Sequence, residues 1–159
     1  MKITIVCAGK LKEKYLRDGI AEYEKRLRPY ADVRTIEIGE ERMKDKPSAA
    51  EKKETIRREG ARLLARIPCD AYLIVLDAGG AAYSSEELSE KIDRICIEGK
   101  SHIAFLIGGP FGLSEQLLQE ADFCLSFSRL TFPHQLIRLF LMEQIYRSFK
   151  ISKGEPYHL

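Results

Sequence analysis

AYLIVLD, at residues 71–77, is a continuous hydrophobic run that ends in a carboxylate. A short run of this kind is typical of a parallel strand that helices cover on both faces of the sheet. HIAFLI, at residues 102–107, is a second run of the same type, and it breaks at Gly108, Gly109 and Pro110. Together the two runs predict the interior of a parallel sheet.

Strand and helix patterns alternate on both sides of these two runs. Ser48 with Glu51, and Ser84 with Glu87, have the spacing of capping boxes that begin two of the helices. Alternation along the whole chain predicts an α/β fold of about five strands and five helices, with parallel pairs. Strands are expected at 2–8, 33–38, 71–77, 102–107 and 123–128, and helices at 12–28, 48–67, 84–98, 114–121 and from Pro133 onward. The segment 39–47 (GEERMKDKP) is expected to be an exposed, flexible loop.

Length and composition limit the class of protein. A chain of 159 residues with 45% apolar and 31% charged residues suits one soluble domain spanning 1–159. No apolar run approaches the roughly 18 residues of a membrane span, and the first residues lack the features of a signal peptide. We therefore expect a cytoplasmic protein.

The charges are unevenly distributed along the chain. Basic ends flank an acidic middle, which predicts either a surface for phosphates or simply solvated helix faces.

The cysteines and histidines do not form a metal-binding pattern. Cys7, Cys69, Cys96 and Cys124 stand far apart without a CxxC pair, and His102, His134 and His158 have no ligand spacing with them. We expect four reduced thiols packed as small hydrophobes, with neither zinc nor disulfides.

Three strand ends carry the residues that suggest a binding site. These ends are Leu76-Asp77 with Gly79-Gly80, Ile107 with GGPFG (108–112), and Ser126 with FSRLTFP (127–133). Ligands of open α/β sheets bind beyond the carboxyl ends of the strands, so one small-molecule pocket is expected here. GGPFG fits neither the dinucleotide fingerprint nor a Walker loop, and a simple chain reversal is the alternative interpretation.

The last helix and the tail hold further polar candidates. HQLIRLFLMEQIYRSFKI (134–151) is apolar around nearly its whole circumference, which predicts burial on all sides and a homodimer interface. Within it, Arg138 needs either a carboxylate partner or a bound anion, and His134 lies one turn earlier on the same face. Tyr157 and His158 are either a frayed end or a mobile tail that closes over a base.

Taken together, several motifs resemble one known family. They are LKEKY (11–15), EYEKRL (22–27), LDAGG (76–80), FLIGGPFGL (105–113), SFSRLTFPHQLIRLFLMEQIYR (126–147) and GEPYH (154–158). In this order they closely resemble the RlmH family, the large-subunit ribosomal RNA pseudouridine N3-methyltransferases of the SPOUT superfamily. The resemblance spans essentially the whole chain.

The resemblance implies a SPOUT-type α/β fold with a C-terminal trefoil knot, a homodimer, and S-adenosylmethionine as methyl donor without a metal. It also implies which residues hold the donor: Leu76, Gly108, Phe127, Ser128, Arg129, Leu130, Thr131 and Phe132. The implied substrate is a pseudouridine in a 23S rRNA stem-loop at the ribosomal subunit interface, within an assembled ribosome.

Roles in catalysis are expected for four residues. Arg138 is a candidate anchor for a phosphate or for the base edge, and His134 a candidate for orienting Arg138 or the loop. Tyr157 and His158, from either subunit, are candidates for docking the base and relaying its proton.

The remaining expectations concern contact with RNA and the alternative functions. Lys10, Lys12, Lys14 and Arg17 either contact RNA phosphates or form a solvated face. Leu159 stands where relatives often have a basic residue, so a further contact between tail and phosphate is in doubt. Two alternatives stay open: a SPOUT methyltransferase acting on tRNA, and a ribosome-binding assembly factor without catalysis.

Overall fold

A computed structural model describes residues 1–41, 43 and 45–158, and it contains a five-stranded sheet with helices on both faces. The strands are β1 (Lys2–Ala8), β2 (Asp32–Ile38), β3 (Tyr72–Ala82), β4 (His102–Ile107) and β5 (Phe123–Ser126). The helices are α1 (Lys14–Leu27), α2 (Ala49–Leu64), α3 (Ser85–Ile97), α4 (Glu115–Glu120) and α5 (His134–Ser152). This confirms the expected α/β fold with a parallel sheet between helices.

The strand order creates a crevice between β3 and β4. The order is β2-β1-β4-β3-β5, and every neighbouring pair is parallel. After β3 the chain returns toward β1 to form β4, whereas after β4 it crosses β3 to form β5 at the edge. The connections on either side of β4 therefore run in opposite directions, and they leave an opening at the carboxyl ends of β3 and β4.

Alternating side chains of the strands form two cores. In β4, Ile103, Phe105 and Ile107 pack with α1, α3 and α5, whereas Ala104 and Leu106 pack with α2 and α4. All six residues of β4 are buried, as expected for an interior parallel strand.

The helix starts agree closely with the sequence patterns. Ser48 with Glu51, and Ser84 with Glu87, each form both hydrogen bonds of a capping box. Pro133 is the N-cap of α5, one residue before the helix rather than within its first turn. Residues 42 and 44 of the expected loop 39–47 lie outside the described residues.

Strand β3 runs farther than its hydrophobic run predicts. The run ends at Asp77, but β3 continues to Ala82, with an irregular register against β5 between Leu76 and Ala81. Gly80 permits this, because a Cβ there would lie 2.6 Å from the carbonyl oxygen of Cys124. The strand end expected at Asp77 is therefore wrong, because close approach between the backbones of β3 and β5 extends the pairing to Ala82.

The expectation that α5 is buried on all sides is only partly right. α5 lies between α1 and α3 and turns one stripe, including Leu141 and Ile145, toward the sheet. The helices on either side account for much of its apolar circumference, but Phe140 points outward and stays 39% exposed. A homodimer and a trefoil knot both stay predictions.

The four cysteines are free, but they are not all packed in the core. Cys7 is buried, and burial raises the pKa of its thiol to about 12. Cys69 is exposed, so the expectation of four buried thiols is wrong for this residue. Among the described residues, no helix has the length and apolar content needed to cross a membrane.

The central position of β4 predicts a strong contrast between two isoleucines. We expect Ile103→Ala, at a fully buried site, to lower the free energy of unfolding by about 2–5 kcal/mol. Ile97→Ala is the matched control, because Ile97 is 85% exposed and its change should stay within about 0.5 kcal/mol. Urea unfolding at one fixed protein concentration measures both, and equal losses would contradict the buried position of β4.

Candidate functional site

The carboxyl ends of β3, β4 and β5 open into one cavity of about 600 Å³. Leu76 and Asp77 contribute from β3, and the loop 108–113 contributes from the end of β4. The third wall is the loop 127–133 between β5 and α5. The structure thus brings together the three strand ends that the sequence singled out, and we call this space the main cavity.

Most residues expected to hold the cofactor line the main cavity. They are Leu76, Gly108, Phe127, Ser128, Leu130, Thr131 and Phe132. Arg129 is exposed and does not belong to this lining. Leu113, Leu125 and Ile137 also line the cavity, but in sequence they are indistinguishable from core residues.

The loop 108–113 is tightly folded, so that its backbone faces the main cavity. A Cβ on Gly108 would lie 2.4 Å from a methyl carbon of Leu113, which shows how closely the loop turns back on itself. Gly112 has φ 93, a conformation that favours glycine, and its N–H donates to the carbonyl of Gly109 at 3.3 Å. Ser114 then caps α4 by accepting the N–H of Leu117 at 3.2 Å.

Hydroxyl groups hold the third wall in place. The Ser126 hydroxyl lies 3.2 Å from the carbonyl oxygen of Ala78 and 3.3 Å from that of Ser128, so it links the ends of β3 and β5. Ser128 in turn accepts the N–H of Leu130 at 3.0 Å. These bonds fix the start of the loop 127–133 relative to β3.

Asp77 gives the main cavity its negative charge. Its carboxylate accepts the N–H of Gly79 at 3.1 Å, and most other lining groups are apolar side chains or backbone. A carboxylate in such a cavity favours a ligand that carries positive charge or hydroxyl donors.

His134 and Arg138 share a helix face but not a cavity. His134 lines the main cavity, and its Nε2 lies 3.2 Å from a carboxylate oxygen of Glu40, without hydrogen-bond geometry. Arg138 is only 2% exposed and donates to Glu37 at 2.8 Å and to the carbonyls of Ala8 and Gly9 at 2.6 and 2.8 Å. Of the two open interpretations of Arg138, the structure shows pairing with a carboxylate of its own fold. An anchoring role toward substrate therefore has no support from its position.

The C-terminal tail is packed against α5 rather than frayed. The Tyr157 ring meets Tyr146 edge-on at 4.9 Å, and its hydroxyl donates to Glu143 at 3.1 Å. Burial, together with Tyr23 and Glu143, raises the pKa of the Tyr157 hydroxyl. This phenol therefore stays protonated at neutral pH.

His158 is held between two charged groups. Arg147 has only donors, so its Nη1 donates to Nδ1 of His158 at 3.1 Å. Nε2 therefore carries the proton and donates to Glu86 at 2.7 Å. The pKa of Glu86 is lowered to about 2, first by its own backbone N–H and then by His158 and Ser84. These two contacts hold the ring in one orientation.

A second cavity of about 370 Å³ lies between the main cavity and the tail. Leu125, Phe127 and Phe132 line both cavities, and Glu143, which binds Tyr157, lines the second. Glu143 therefore connects the tail to the second cavity, which shares one wall with the main cavity.

Comparison with known proteins gives a consistent family. A family model described as "Predicted SPOUT methyltransferase" matches residues 1–158. The chain is 51% identical over 158 residues to "Ribosomal RNA large subunit methyltransferase H" of Carboxydothermus hydrogenoformans, with 99% of each chain covered. It is 52% identical over 158 residues to the protein of the same name from Listeria monocytogenes, again with 99% of each covered.

Among solved structures, the chain is similar to a probable methylase family protein from Haemophilus influenzae Rd KW20. The TM-score is 0.49 at 11% identity, and the match covers 96% of this chain and 66% of that one.

The contacts of the buried Arg138 side chain with Glu37 and two backbone carbonyls predict a structural rather than a substrate-binding role. We expect Arg138→Met to lower the free energy of unfolding by about 3–5 kcal/mol, because the buried carbonyls of Ala8 and Gly9 lose hydrogen bonds from a charged donor. Arg26→Met is the matched control, since the Arg26–Glu22 pair is exposed and should change the urea midpoint far less. Urea unfolding of both variants measures the difference. A fully stable Arg138→Met would contradict the structural role.

Proposed function

Because this chain belongs to the SPOUT methyltransferase family, with full-length relatives named ribosomal RNA large subunit methyltransferase H, we propose that it methylates large-subunit ribosomal RNA. In the finer form of the proposal, the target is N3 of a pseudouridine in a 23S rRNA stem-loop at the ribosomal subunit interface. The assembled ribosome is the substrate, and the methyl donor is S-adenosylmethionine. The catalyst is a cytoplasmic homodimer whose subunits each consist of one domain.

The convergence of three strand ends on the main cavity carries this proposal. Its volume of about 600 Å³ lies in the range of sites for nucleoside-sized ligands. Gly108 and Gly109 present only backbone atoms to the cavity, and Phe127 and Phe132 offer apolar surface to an adenine ring. The residues present therefore fit an adenosyl cofactor. When bound, this cofactor supplies a methyl group already activated on a positively charged sulfonium centre.

Each wall of the main cavity has a proposed part in holding the donor. Backbone groups of the loops 108–113 and 127–133 would bind the adenosine portion, as the family resemblance implies for Gly108 and for Phe127 to Phe132. Asp77 supports binding of the positively charged portion, because it is the carboxylate of the lining. His134, at the start of α5, would orient the loop 127–133.

The substrate nitrogen must lose a proton before or during the transfer, so the chain has to bind the base and relay that proton. We assign these tasks to Tyr157 and His158, of the same or the opposite subunit. Tyr157 would serve as a hydrogen-bond donor, because its hydroxyl stays protonated. His158 would accept the proton at Nδ1 only when Arg147 releases that atom.

Mass-spectrometric mapping tests the reaction. Purified ribosomes and total tRNA are each incubated with the protein and isotopically labelled S-adenosylmethionine, and the digested RNA is then analysed. We expect the label in one pseudouridine of 23S rRNA, on N3. Label in tRNA alone would overturn the rRNA assignment, and label on another nucleotide would overturn the pseudouridine assignment. Absence of donor binding by calorimetry would instead favour a ribosome-binding factor without catalysis.

The proposed roles of Tyr157 and His158 predict that removal of the tail abolishes methylation without weakening donor binding. Deletion of residues 157–159 should leave the Kd for S-adenosylmethionine unchanged, because neither Tyr157 nor His158 lines the main cavity. Methylation of ribosomes should be abolished, since both proposed base contacts are lost. Lys153→Ala, at an exposed site just before the tail, is the control and should keep full turnover. Normal methylation by the shortened chain would contradict the proposed roles of Tyr157 and His158.

A further inference from the structure

Glu59 is a buried carboxylate outside the main cavity. It lies in the second half of α2 and is only 4% exposed. Within the described part of the chain, no lysine, arginine or histidine forms an ion pair with it. Since burial of a carboxylate without a cation is unfavourable, its place in the core requires a specific partner.

That partner is the backbone of the loop 108–113. The N–H of Gly109 donates to Oε1 of Glu59 at 3.1 Å. A Cβ on Gly109 would lie 2.7 and 2.9 Å from the two carboxylate oxygens, so the carboxylate rests directly against the loop. Gly109 itself lines the main cavity. Glu59 therefore contacts the back of a segment whose front faces the ligand space.

Gly60, the residue after Glu59, contacts Ser114 at the other end of the same segment. A Cβ on Gly60 would lie 2.3 Å from Oγ of Ser114, so α2 and Ser114 are in very close contact. Ser114 is buried and caps α4 directly after the loop. One turn of α2 thus contacts both ends of the segment 109–114.

We propose that Glu59 is a positioning residue for the methyl-donor site. By accepting the N–H of Gly109, it fixes the orientation of that peptide and holds the loop 108–113 in the form that receives the donor. Glu59 does not touch the donor and acts through the loop. This inference rests on the proposed function, because it assumes that the main cavity binds S-adenosylmethionine.

Three substitutions at one position test the contact. Glu59→Leu removes the acceptor, Glu59→Asp shortens its reach by one methylene, and Glu59→Gln keeps an oxygen that accepts from Gly109. Thr55→Ala is the control for general loss of packing, because Thr55 lies one turn earlier on α2 and is 5% exposed. Calorimetry with S-adenosylmethionine gives the Kd, and the amide signal of Gly109 in a ¹H–¹⁵N spectrum reports the contact without any ligand.

We expect Glu59→Leu and Glu59→Asp to raise the Kd by about tenfold, because the N–H of Gly109 loses its carboxylate acceptor and the loop its fixed orientation. Glu59→Gln should restore binding to within about threefold of the wild type. The Gly109 amide signal should move in Glu59→Leu and Glu59→Asp but stay in place in Thr55→Ala, whose Kd should also stay unchanged.

Other outcomes have distinct meanings. If the wild-type protein does not bind S-adenosylmethionine, the proposed function fails and this inference fails with it. If the wild type binds but Glu59→Asp binds equally well, the positioning role is wrong while the proposed function stands. If Thr55→Ala weakens binding as much as the Glu59 substitutions do, the effect is loss of packing, and the positioning role is again wrong. The Asp and Gln variants keep a polar group at the site, so they test the role even if Glu59→Leu does not fold.

Discussion

The parallel alignment of β3, β4 and β5 is the constraint on which the rest of the structure depends. Parallel strands end at the same edge of a sheet, so the three connections that follow them meet there. The chain leaves β3 and β4 in opposite directions, and this prevents either connection from closing the gap between them. A cavity of about 600 Å³ at that edge is the direct result.

Support for this cavity comes from both faces of the sheet, by different means. On one face, Arg138 of α5 binds Glu37 and the carbonyls at the end of β1, so a buried cation holds the start of α5 against the sheet. On the other face, the carboxylate of Glu59 binds the backbone of the loop after β4. Each buried charge has hydrogen-bond partners in the protein, which is the condition for keeping it in a core. The two contacts fix the helix and the loop that border the main cavity.

The elements that local patterns define were predictable from the sequence. Ser48 and Ser84 begin helices because a hydroxyl and a glutamate three residues later satisfy free N–H groups within the same turn. Strand β4 matches its hydrophobic run residue for residue, since both of its faces are buried. The extension of β3 to Ala82 was not predictable, because only the backbone of Cys124, distant in sequence, shows that close pairing requires glycine at position 80. The burial of Glu59 was not predictable, since a glutamate among charged residues of a helix has the same sequence pattern whether or not it is buried.

Some parts of the candidate site were likewise predictable from the sequence, and others were not. The glycines after β4 and the loop after β5 were identifiable from the sequence, because strand ends with small or polar residues are recognisable in any parallel α/β chain, and the family motifs name the same positions. The partners of Arg138, Tyr157 and His158 were not, because each contact joins segments that are far apart in the chain. The sequence by itself determined the class of fold, the order of strands and helices and the strand ends that line the main cavity. Only the tertiary structure decided which buried charges stabilise that site and where the tail lies, because burial and pairing depend on neighbours that only folding brings together.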